Sequence, residues 1–231
     1  MAELRLTLPL DNAKIPEISA VFEEAAPPSR GSAILLAHGA GFSMDSPFMA
    51  SVAGGLCRRG FAVLRFNYPY RERAVREKRQ RLPDKPEILE HAHSRALRAL
   101  EERVGDRRIL LAGKSLGGRM ATHLAAKGES AAALVLLGYP LHPPGKPERI
   151  RCEHFPAIAQ PALFLQGTRD KLCRLDLLQT ALERYAGTAT LELIEDADHG
   201  FHVRKSSGRS DTEVLVGLLD RIAEWETETF G

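Results

Sequence analysis

Short apolar runs recur along the chain. Between them lie stretches in which apolar residues return every third or fourth position. The runs cover 33–37, 61–66, 109–112, 133–137, 162–165 and 191–194. Each is nearly continuous rather than alternating, which predicts strands buried on both faces of a sheet. Ser46-Pro47 reads as the N-cap and first residue of a helix with Phe48, Val52 and Leu56 on one face and Gly60 as its stop. A second helix carries Ile88, Ala92, Leu97, Leu100 and Val104 and closes at Gly105. A third carries Leu175, Leu178, Leu182 and Tyr185 and closes at Gly187. Ser210-x-x-Glu213 is a capping box opening a last helix that runs to Phe230. This alternation predicts an α/β fold, a mostly parallel central sheet with right-handed crossovers and helices on both faces. Residues 4–8 and 18–22 would add one or two edge strands. With no internal repeat or long linker, residues 1–231 are expected to form a single domain.

Composition narrows the class. A chain of 231 residues that is 44% hydrophobic can fill one sizeable core. A formal charge of +2 argues against nucleic acid as the main partner. Cys57, Cys152 and Cys173 are too scattered for a disulfide framework or a zinc pattern. No charged start followed by an apolar run opens the chain, and no later segment reaches the ~20 apolar residues a membrane span needs. The expectation is a soluble, cytoplasmic protein without a membrane partner.

The chemistry centres on Gly113-Lys114-Ser115-Leu116-Gly117, which lies between a strand ending at Ala112 and a helix opening Gly118-Arg119-Met120. In that context a G-x-S-x-G pentapeptide predicts a nucleophilic serine on a sharp turn, with glycines where side chains would clash. Serine is a weak nucleophile and needs a base, which in turn needs an orienting acid. His199 follows the last strand and Asp170 follows the strand before it. All three residues fall at the C-terminal ends of strands, on one rim of a parallel sheet. Asp196 and Asp198 are rival acids and His202 a rival base, and Asp170 could instead cap the helix that carries Leu175. Acyl transfer also needs donors for a developing oxyanion. Leu116, the residue after the serine, is one candidate; Ala40 in His38-Gly39-Ala40-Gly41 is the other, with Gly41 next.

These motifs carry a resemblance. Together with Met44-Asp45-Ser46-Pro47-Phe48-Met49, Gly138-Tyr139-Pro140-Leu141-His142-Pro143-Pro144-Gly145-Lys146-Pro147 and Gln166-Gly167-x-x-Asp170, the chain resembles a small serine α/β-hydrolase of the dienelactone-hydrolase-like group. More closely it is similar to bacterial hydrolases related to vertebrate testis-expressed hydrolase-like proteins. The resemblance runs from about residue 30 to the C-terminus. It implies a hydrolase fold and a Ser-Asp-His triad, but no particular substrate. Dienelactone hydrolases proper use cysteine where this chain has Ser115, so their lactone is not carried over.

The resulting expectation is a serine hydrolase that cleaves an ester, thioester or related acyl bond of a small molecule, with no metal or organic cofactor implied. Two alternatives remain: a hydrolase-like binding or scaffold module with an idle site, and an acyltransferase using the same triad. Tyr68, Tyr70, Tyr139 and His142 are candidate pocket walls from their rim positions. Arg71, Arg73, Arg76, Lys78, Arg79 and Arg81, offset only by Glu72 and Glu77, read either as a solvated face or as a basic rim favouring acidic substrates. Lys205, Ser206 and Arg209 could add polar or charged groups near His199. Between Leu137 and Ala162 there is room for one short helix near 154–159 but not for a lid, so the site should be open.

Overall fold

The computed structural model describes residues 3–11 and 15–231. Eight strands form one sheet: β1 (Glu3–Pro9), β2 (Glu17–Glu23), β3 (Ser32–Ala37), β4 (Ala62–Phe66), β5 (Arg108–Lys114), β6 (Ala133–Leu137), β7 (Ala162–Gly167) and β8 (Ala189–Ile194). Their order across the sheet is β1-β2-β4-β3-β5-β6-β7-β8. Strands β3 to β8 run parallel, while β1 and β2 are antiparallel additions at the β4 edge. The fold class read from the apolar runs is the one observed.

The continuous apolar runs supply two cores. Ala33, Leu35 and Ala37 of β3 face one layer, and Ile34 and Leu36 face the other. Of the helices, α3 (Pro86–Val104) and α4 (Leu116–Ala126) cover the first face with Leu89, Leu97, Met120 and Leu124. On the second face, α1 (Pro47–Arg58) and α6 (Asp211–Phe230) contribute Met49, Val52, Leu218, Ile222 and Trp225. Each such side chain stabilises the fold by about 1.5–3 kcal/mol over leaving it exposed. The capping box of α6 forms as expected: the Glu213 N–H donates to Ser210 Oγ at 3.2 Å, and the Ser210 N–H donates to Glu213 Oε2 at 2.7 Å. Ser46 precedes α1, but its side chain does not cap that helix; its hydroxyl donates to the Ser43 carbonyl instead.

Several boundaries differ from the sequence reading. A short helix, α2 (Pro69–Arg76), occupies the basic segment, where only Tyr70 and Ala74 after Pro69 are buried. The first turn of α4 starts directly after Ser115, two residues earlier than its glycines suggest. The helix α5 (Leu175–Leu182) ends before Tyr185, which turns inward and donates its hydroxyl to the Gln160 carbonyl. Residues 138–161 hold a single 3-10 turn, Phe155–Ala157.

The strand order creates the crevice. From β3 the chain steps to β4 on one side, then crosses to β5 on the other. Loops leaving β3 and β5 therefore diverge, which is where open α/β sheets hold ligands. Among the described residues no helix is long and apolar enough to cross a membrane.

Candidate active site

The turn after β5 is as tight as backbone allows. Ser115 adopts φ +52°, a left-handed conformation unusual for a residue with a side chain. A Cβ on Gly113 would lie 2.2 Å from the Gly117 carbonyl carbon, and one on Gly117 would lie 2.3 Å from the Ala37 oxygen. Both contacts are with backbone, so only glycine fits at either position. The strain holds Ser115 half-buried at the head of α4.

Two loops bring partners to it. His199 lies after β8, and its Nε2 is 2.9 Å from Ser115 Oγ. Its Nδ1 is 2.6 Å from Asp170 Oδ2. The Asp170 carboxylate is fully buried, whereas the His199 side chain keeps 28% exposure. Asp170 is fixed by two further donors: Gln166 Nε2 at 2.6 Å on Oδ2 and the Leu172 N–H at 2.7 Å on Oδ1. The structure thus brings Ser115, His199 and Asp170 into one hydrogen-bonded line.

The rivals are engaged elsewhere. Asp196 binds Arg204 through its side chain and backbone and lies by Arg169. Asp198 Oδ1 accepts the N–H groups of Gly200 and His202, shaping the turn that carries His199. His202 is exposed and pairs with Asp211 at 2.6 Å.

The loop after β3 packs against the serine: a Cβ on Gly39 would lie 3.4 Å from Ser115 Cβ. His38 Nδ1 sits 2.8 Å from the Gly39 carbonyl, and the Tyr70 hydroxyl donates to the Ala40 carbonyl at 3.1 Å. A planar trans peptide points its C=O and N–H oppositely. Fixing the Gly39 carbonyl on the His38 side therefore turns the Ala40 N–H the other way. Among the described residues, no protein group accepts from the N–H of Ala40 or Leu116. His38 Nε2 in turn accepts the Tyr68 N–H at 3.1 Å, and burial pushes the imidazole down to about 4, so it holds this loop as a neutral ring. Gly41 is exposed at the mouth.

The expected pocket walls lie inside the protein. Tyr68, Tyr70, Tyr139 and His142 are all buried. Tyr68 bonds His93, Tyr139 donates to the Arg151 carbonyl, and His142 Nε2 accepts the Arg174 N–H. These side chains turn into the protein and brace loops behind the site. Half of the basic segment's six cations are paired, with Arg73 on Asp84 and both Arg79 and Arg81 on Glu77. Arg209 is spent on the Glu195 carbonyl, and Lys205 and Ser206 lie on the surface.

The sequence reading missed Lys114. Its ammonium is buried beneath the site, donates to the His199 carbonyl and lies 5.3 Å from the centre of the Phe201 ring. It also missed Arg169 and Lys171, which with Asp198 and His199 line a cavity of about 560 Å³ at the mouth. The x positions of a motif carry no pattern that would single out Lys114. Among the described residues, no three His, Cys, Asp or Glu side chains gather as a metal site would require.

A family model described as an alpha/beta hydrolase domain matches residues 30–227. The chain belongs to that alpha/beta hydrolase family. Solved structures agree on the fold. A dienelactone hydrolase from Anabaena variabilis superposes with a TM-score of 0.77 at 21% identity, covering 98% of this chain and 97% of that one. An alpha-beta serine hydrolase homologue from Coxiella burnetii gives 0.72 at 18%, covering 100% and 99%. An a/b serine hydrolase without lid from Xanthomonas campestris gives 0.65 at 21%, covering 96% and 94%. At these identities the likeness speaks for the fold alone.

Proposed function

We propose that this alpha/beta hydrolase is a serine esterase of the dienelactone-hydrolase-like group, acting in the cytoplasm on a carboxylic ester, thioester or related acyl bond of a small molecule. The observation that carries the reading is the line Ser115 Oγ–His199–Asp170, with separations of 2.9 and 2.6 Å, at the diverging ends of β3 and β5.

The proton positions follow from the acceptors. Asp170 is acceptor-only when ionised, so His199 Nδ1–H donates to it. His199 Nε2 is then the acceptor for the Ser115 hydroxyl. On attack, Ser115 Oγ bonds the acyl carbon and its proton moves to Nε2. The resulting imidazolium is stabilised by Asp170. The tetrahedral oxyanion is met by the N–H groups of Leu116 and Ala40, each worth a few kcal/mol of barrier, or roughly 10²–10³ in rate. Collapse expels the leaving group, which takes the proton from Nε2 and leaves an acyl-enzyme on Ser115. Water repeats the sequence: His199 takes its proton, the ester breaks, and Ser115 regains a hydrogen. Every transfer lies among these side chains, and no metal or organic cofactor is called on.

A fluorophosphonate probe tests the reading directly. It should label the protein, and Ser115→Ala should lose both labelling and hydrolysis of 4-nitrophenyl butyrate while keeping its circular dichroism. Labelling that persists in the variant would remove Ser115 from the reaction. A folded wild-type protein that neither labels nor turns over would favour the idle binding module.

A further inference from the structure

Lys114 is the last residue of β5 and the immediate neighbour of Ser115. Successive strand side chains face opposite sides of the sheet. Ala112, two residues back, belongs to the core under α1 and α6, so Lys114 points to that side, where Phe201 also packs. The side chain is buried, its ammonium donates to the His199 carbonyl, and Nζ lies 5.3 Å from the centre of the Phe201 ring. One side chain thus touches the turn that carries His199 at two points.

The surroundings are shaped around that contact. Gly138, just past β6, has φ +64°. A Cβ there would lie 2.9 Å from Lys114 Nζ, 3.4 Å from the His199 carbonyl oxygen and 3.6 Å from His199 Nδ1. The ammonium, the carbonyl and the ring edge that meets Asp170 therefore share one small space. Phe201 holds φ +65°, a strained conformation for an aromatic residue. Its ring stacks on Phe48 at 6.2 Å and 10°, besides lying by the ammonium.

Stability does not account for the charge. Burial lowers the ammonium to about 8, although Asp170 and Asp198 favour the charged form. Among the described residues Lys114 pairs with no carboxylate: Asp170 accepts from His199, Gln166 and the Leu172 N–H, and Asp198 from the N–H groups of Gly200 and His202. A permanent cation beside a ring that becomes an imidazolium also opposes the charge that attack creates. An apolar side chain of similar length would fill the space with neither penalty. What it would lack is the donor to His199. We propose that Lys114 is a positioning residue: by tying the His199 carbonyl to the residue next to Ser115, it fixes the imidazole between Ser115 Oγ and the Asp170 carboxylate. The inference rests on the esterase reading and adds a residue to its machinery.

Lys114→Met tests it, since methionine keeps most of the stem and has no donor. Misplacement by about 1 Å costs on the order of 10² in rate. Toward 4-nitrophenyl butyrate near pH 7, kcat should therefore fall by about 10- to 100-fold, with KM within about twofold. A second signal separates positioning from general support. The far-downfield proton resonance of His199 Nδ1–H, identified by its absence from His199→Gln, should shift or broaden in the methionine variant. A loss carried by KM overturns the proposal, as does a kcat that is unchanged or raised. So does an unmoved resonance, whatever kcat does. If the variant does not fold, wild type decides: the Lys114 ammonium protons must exchange slowly with solvent and show a nuclear Overhauser contact to the Phe201 ring, and failure of either overturns the tie. A wild-type protein that turns over no ester defeats the esterase reading alone, since these resonances are read without substrate.

Discussion

Lys114 is an ammonium at odds with its surroundings. Burial pulls its ammonium down to about 8 despite the carboxylates of Asp170 and Asp198 nearby. Between that value and the ordinary 10.5, the unfolded chain holds a proton that the folded chain has released, so stability rises with pH in that window. Below it, the buried charge costs about 3 kcal/mol. Lys114→Met lacks this slope. Urea unfolding near pH 7 and near pH 10.5 should show wild type gaining about 3 kcal/mol on the variant between the two; a constant difference would count against the assignment. Activity should move the other way, because the variant frees the His199 carbonyl. The acid gives a sharper contrast. Asp170→Asn keeps a hydrogen-bonding group but favours the wrong imidazole tautomer, and kcat should fall by ~10⁴, as in other triads. Asp196→Asn, which loosens its contacts with Arg204 and Arg169 but none with His199, should leave kcat within about threefold. At this scale the sequence revealed what strand ends could mark, and Ser115, Asp170 and His199 each follow one. It did not reveal which way a rim aromatic turns. Tyr68 and Tyr139 look like pocket walls in sequence, yet the core behind the loops takes them.

The turn between β5 and α4 is the element on which the site depends. A methyl group on Gly113 or Gly117 meets backbone within 2.3 Å, and neither strand nor helix can yield without losing its register. Gly117→Ala should therefore cost several kcal/mol, more than the ~1 kcal/mol of an ordinary helix glycine and of opposite sign, and thermal unfolding with an activity assay would show both losses together. At the far end of the chain, Ser210→Ala should cost about 1 kcal/mol by removing the cap of α6. That helix covers one face of the sheet, so the loss should appear in global stability and not as local fraying alone. Helices with punctuation were legible: Ser210 and Glu213 opened α6, and Gly105 closed α3. The helix α2 was not, because its eight residues bury little and its charges resemble a solvated loop.

Across the whole molecule, the sheet was legible as parallel because β3 to β7 are apolar on both faces. The order was not. Nothing local tells β4 to lie outside β3, or tells β2 to pair antiparallel with β4; tertiary packing of the two faces decides it. The site was legible without the order because every strand of a parallel sheet delivers its loop to one rim. Charge behaves differently at this scale than residue counts suggest. The segment 71–81 is rich in arginine, but Asp84 and Glu77 hold three of its six cations in local pairs. Neutralising Arg73, Arg76 and Arg79 together should change kcat/KM for an anionic ester by less than about twofold at ordinary salt. A larger change that fades at high salt would restore the segment as a steering rim.

The bare connection between β6 and β7 bears on the fate of the acyl group. A cover over the serine would let an enzyme choose what the intermediate meets next. Here the ester on the half-buried Ser115 would face an uncovered rim, and bulk water would compete for it with any alcohol or amine. On the proposed reading, a transferase of this shape would lose most of its product to the solvent, and the partition should favour carboxylic acid release. With an added alcohol, the ratio of transfer to acid should rise in proportion to alcohol concentration and extrapolate to zero, as expected when competitors draw on one unguarded intermediate.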